Sequence, residues 1–72
     1  MNVGNQVKIA GVQALIATNV TKRNSKQLLS RIQVEVELLR HGLRLEKGLA
    51  RIQVSQAIQL LEGKVKEIVE KQ

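Results

Sequence analysis

Turned at about 100° per residue, the aliphatic side chains of residues 26–70 sort into two apolar seams, and a helix apolar on two sides has to be covered from two sides. The first seam takes Leu28, Leu29, Ile32, Val36, Leu39, Leu43, Ala50, Val54, Ala57, Leu61, Val65 and Ile68. The second, rotated well away from it, takes Val34, Leu38, Leu45, Leu49, Ile52 and Leu60. Charged residues fill the remaining positions. The pattern predicts a helical building block whose seams meet other helices.

Size sharpens that expectation. A single domain of 72 residues has little interior, and chains this short usually lean on disulfides, a metal or association. There is no cysteine, and one histidine, His41, cannot build a structural zinc site without ligands from elsewhere. Association is left. With no Phe, Tyr or Trp, the packing falls to Leu, Ile, Val and Ala, which suits thin, close layers. The absence of proline and aspartate favours helices over a sheet protein, whose turns usually draw on both.

The first helix is expected over about residues 3–21. Val3, Val7, Ala10, Ala14, Ala17 and Thr21 recur at alternating spacings of four and three, with Gly4, Gly11 and Thr18 beside them, so a neighbouring helix can approach closely. Ile9, Val12, Ile16 and Val20 make a bulkier face on the other side. Lys22-Arg23-Asn24-Ser25 then reads as a turn, with Asn24 or Ser25 as N-cap of the next helix. A connection this short implies antiparallel neighbours.

Two glycines question the continuity of the second helix. Leu39-Arg40-His41-Gly42-Leu43 resembles a glycine C-cap, and a break there would give three short helices. The seam keeps its phase through Leu39, Leu43 and Ala50, which favours one helix over about 25–70, with Gly42 and Gly48 marking a bend or close contact. Ile32, Leu43, Val54 and Val65 also recur every eleven residues, a spacing that suits nearly straight packing. Such a helix is about 67 Å long against about 28 Å for the first. Much of its surface would stay bare until another chain covered it. The competing strand reading, from Ile32, Val34, Val36 and Leu38 alternating with polar residues, fails at Leu38-Leu39.

The expected fold is therefore all-α: a helical hairpin with coiled-coil-like association to other chains. Its predicted partner interface comprises Leu28, Ile32, Val36, Leu39, Leu43, Val54, Leu61, Val65 and Ile68 from the first seam and all six residues of the second. The function that fits is a structural or interaction protein, as a homo-oligomer, a filament subunit or an adaptor for another helical protein.

Chemistry is sparse. Twelve Lys and Arg against six Glu give a net charge of +6, which favours anionic partners. Arg40, Arg44, Lys47 and Arg51 fall in one band of a continuous helix, a cationic stripe able to track phosphates, so nucleic acid or another polyanion is the alternative partner. Without aromatic residues, stacking on unpaired bases is disfavoured. Glu37 stands four residues before His41, but no pocket or nucleophile motif accompanies the pair. Enzymatic activity, cofactors and small-molecule substrates are not expected. Nor is a membrane surface the expected partner, since the first helix has amides where a lipid-binding helix carries charge. No apolar run reaches about 18 residues, and residues 9–17 lack the basic flank of a signal peptide. The cytoplasm is the default location, with an exported assembly the other reading.

Overall fold

The computed structural model describes residues 2–71 as three helices: α1 over Val3–Ala17, α2 over Ser25–Leu43 and α3 over Leu49–Lys71. The all-α class stands, and the alternating stretch Ile32–Leu38 lies inside α2. The single long second helix does not stand. Its two halves fold back on each other, and the body measures 38 × 17 × 17 Å rather than extending along one rod. α2 runs antiparallel to both neighbours, giving an up-down-up bundle in which the α2–α3 pairing is the most extensive.

The break falls at Arg44–Gly48. After Leu43 the chain tightens: Leu45 N–H donates to Gly42 O at 3.0 Å and Glu46 N–H to Leu43 O at 3.2 Å, the i to i+3 pattern that ends many helices. Gly48 then adopts φ +64, a conformation that costs a residue with a Cβ but not glycine. Its carbonyl accepts from Arg51 and Ile52 and starts α3. Phase continuity misleads here because each helix of a hairpin needs one apolar face, and a linker of suitable length lets two separate faces share an angle.

Folding back also changes what covers the first seam. Leu28, Ile32 and Leu39 of α2 bury against Val54, Ala57, Ile58, Leu61 and Ile68 of α3, with Val36, Leu43 and Val65 half-buried around them. Ile32, Leu39, Leu61, Val54 and Ile68 are fully buried within one chain. The expectation that this seam lies bare until a second chain arrives is corrected: the hairpin supplies its own cover.

α1 closes the third side with Val12 and Leu15, flanked by Ile9 and Ile16. The bulkier of its two faces turns inward because more area per residue leaves water there. α1 is shorter than expected and ends at Ala17, where Thr18 turns extended and its Oγ1 donates to Ala14 O at 2.8 Å. Val20, expected in the helix, plugs the core from the loop. The entry to α2 differs as well. Asn24 makes no side-chain cap bond to the helix. Instead Thr21 N–H donates to Asn24 Oδ1 at 2.8 Å while Asn24 N–H donates to Thr21 Oγ1 at 3.2 Å, a reciprocal pairing like that of a capping box. Ser25 Oγ is buried and donates to Lys22 O.

Candidate functional site

α1 is seated by polar contacts at both ends. At its start, Asn2 Oδ1 accepts from Gly4 and Asn5 amides, filling the N-cap role. Asn5, only 1% exposed, points its amide across to the α2–α3 corner, where Nδ2 donates to Gly42 O and to Glu46 Oε1, both at 3.0 Å. Asn2 N–H donates to the same Glu46 oxygen. The donors hold the buried Glu46 carboxyl below its ordinary range: the Asn2 amide first, then Asn5, against burial, which pushes the other way. Gly42 is required here by space, since a Cβ would collide with the Asn5 side-chain amide. At the far end, the buried Lys64 Nζ donates to Thr18 O at 2.8 Å, capping α1, and pairs with Glu67 at 3.2 Å. Of these residues sequence reasoning singles out only Gly42, as the mark of a bend or close contact, and does not find Asn5, Glu46 or Lys64. Asn5 in an otherwise apolar helix, three residues after an N-cap Asn, is the one available signal; nothing in the sequence joins it to residues 42 and 46.

With α1 fixed this way, its small-residue stripe faces outward. Val3, Val7, Ala10, Ala14 and Ala17 are exposed, and Gly4 and Gly11 lie among them. Lys8 is the sole charged residue of the helix. Shallow grooves run along both flanks. The one toward α2 is lined by Val7, Gly11, Ala14, Arg31 and Glu35; the one toward α3 by Ile9, Gln13, Gln53, Gln56 and Leu60.

The second seam is the part of the predicted interface left in solvent. Val34 and Leu38 on α2, Leu45 in the loop, and Leu49, Ile52 and Leu60 on α3 are all exposed. They no longer form one line, because the fold places them on two helices and the corner between.

The predicted cationic stripe is also redistributed. Arg40 lies in the last turn of α2 and pairs with Glu62 of α3 at 2.5 Å, Arg44 and Lys47 lie in the loop, and Arg51 lies in the first turn of α3. The straight track is corrected to a cluster at one end of the bundle. Both partners of the Arg40–Glu62 pair are largely exposed, so it contributes at most about 1 kcal/mol. Glu37 and His41 approach to 3.4 Å on the exposed face of α2. Among the described residues, no group of three His, Cys, Asp or Glu side chains gathers to hold a metal, and no helix is long and apolar enough to cross a membrane. Comparison with protein-family models, curated proteins and solved structures finds no match to this chain.

Proposed function

We propose that this protein is a structural interaction module, a three-helix bundle that self-associates through the outward face of α1. The observation that carries the reading is the exposed ridge of Val3, Val7, Ala10, Ala14 and Ala17 on a fifteen-residue helix with one charge. A second copy is the occupant that fits. Small side chains and Gly11 let two α1 backbones approach closely; the ridge itself carries one charge, Lys8, and the Arg31 and Glu35 that line its α2 flank are of opposite sign, so a two-fold contact of like surfaces meets little net repulsion. Leu60 of α3, in the groove with Ile9, extends the apolar area on one side.

Sedimentation equilibrium over a range of concentrations tests it. The expected result is a mass that rises with concentration in the parent and stays monomeric in Val7→Glu and Ala14→Glu. Because both positions are exposed, these variants keep their helicity. A parent that remains a monomer throughout, or variants that associate as well as the parent, overturns the reading.

A further inference from the structure

The corner between α2 and α3 has a composition that the sequence conceals. Residues 44–52 read Arg-Leu-Glu-Lys-Gly-Leu-Ala-Arg-Ile, a mixed run with one acid among three bases. Folding takes the acid off the surface. Glu46 turns inward and is held by Asn2 and Asn5, whereas Arg44, Lys47 and Arg51 are exposed and have no ion-pair partner among the described residues. Beside these cations stand the most exposed leucines of the chain: Leu49 at 79% and Leu45 at 68%, with Ile52, one helical turn after Leu49, exposed as well. The outcome is a corner that exposes apolar side chains together with three cations that have no ion-pair partner among the described residues.

The geometry points to this corner as a docking site for an anionic lipid surface, with Leu45, Leu49 and Ile52 entering the headgroup boundary and Arg44, Lys47 and Arg51 meeting lipid phosphates and carboxylates. Charge complementarity selects that occupant. A second copy of the same corner would set three cations against three, so symmetric self-contact here is repelled. Phosphates of a nucleic acid satisfy the cations but give the protruding leucines nothing apolar to enter. A lipid interface answers both halves, because interfacial binding adds buried apolar area to attraction by acidic headgroups. The first helix offers no such pairing of charge and apolar projection, so the inference rests on a different element from the one the sequence discounted. It is also independent of the self-association proposed above, which uses the outer face of α1.

Vesicle co-sedimentation with the full chain tests the site, comparing pure phosphatidylcholine with phosphatidylcholine mixed with phosphatidylserine. Binding is expected to the mixed vesicles, weakening as salt rises, and to be far weaker on the neutral ones. Arg44→Ala/Lys47→Ala/Arg51→Ala should reduce affinity roughly a hundredfold, from the usual contribution of each basic residue near an acidic surface. Leu45→Ser/Leu49→Ser should reduce it roughly tenfold or more. Lys22→Ala/Arg23→Ala/Lys26→Ala, which removes the same charge from the opposite end of the bundle, should bind nearly as the parent does. Circular dichroism checks that each variant is folded. Four results overturn the assignment: no binding to mixed vesicles, equal binding to neutral ones, a leucine variant that binds like the parent, or equal loss from the Lys22 cluster. Duplex DNA that binds the corner in preference to vesicles and ignores the leucine variant assigns the cations to nucleic acid instead.

Discussion

The two interfaces inside this bundle are built on opposite principles. Between α2 and α3, aliphatic side chains meet along the whole length, and several of them are fully buried. Many equivalent contacts share the work, no single one sets the register, and the pairing tolerates adjustment. Between α1 and that hairpin, the apolar contribution is shorter and each end is fastened by a polar contact, Asn5 to Gly42 and Glu46 at one end and Lys64 to Thr18 at the other. Buried polar groups are costly when unpaired, so those contacts fix α1 in one position and turn its uncharged ridge outward. The hairpin provides stability and the polar fastenings provide placement.

The largest effect that separates the two is expected from Leu61→Ala, which empties a fully buried site in the apolar interface. It should cost about 3 kcal/mol by denaturant unfolding, and hydrogen exchange should quicken in all three helices, since each packs on α3.

A smaller and more local loss is expected from Gly42→Ala. Alanine favours a helix by about 1 kcal/mol over glycine, yet here its Cβ displaces the Asn5 side chain and forfeits bonds whose loss costs about 1–3 kcal/mol. The net change should be destabilising, with exchange raised mainly in α1. Adding Asn5→Ala to that variant should then cost little more, because the bonds are already gone.

Gly63→Ala provides the contrast in sign. Gly63 lies inside α3 with no heavy atom within 4 Å of the place an alanine methyl would take, so the substitution should stabilise by about 1 kcal/mol on helix propensity alone. A loss there would show that α3 has constraints beyond its apolar face.

The smallest effect is expected in acid. The Glu46 carboxyl is held below its ordinary value of 4.5, so its contribution is complete above that value and disappears as pH falls through the lowered one. Unfolding curves of the parent and Glu46→Gln should therefore run parallel from neutral pH to about 5 and converge below 4.5. Constant separation down to strong acid would remove Glu46 from the fastening of α1.

Much of the fold is legible in the sequence because periodicity reports local facts. Spacing alone assigns Leu28, Ile32, Leu39, Val54, Leu61 and Ile68 to one seam, and they form one core. It likewise separates the inward and outward faces of the first helix. Spacing does not report chain reversal. Leu43 and Ala50 keep compatible angles whether the segment between them is helical or a loop, so the same seam fits both a rod seeking partners and a hairpin closing on itself. Of the candidate surfaces, the second seam and the cations are visible as residues, whereas their distribution depends on where the turn falls.

What the sequence determined by itself is the helical class and which side of each helix is apolar, because those follow from backbone periodicity and side-chain type within a few turns. Only the tertiary structure decided that the first seam closes within one chain and that Glu46 leaves the surface. Both depend on residues brought together across more than thirty positions, Asn5 with Gly42 and Glu46, and on a left-handed glycine at 48 that redirects the chain. Contacts of that range arise from packing, which no local pattern encodes.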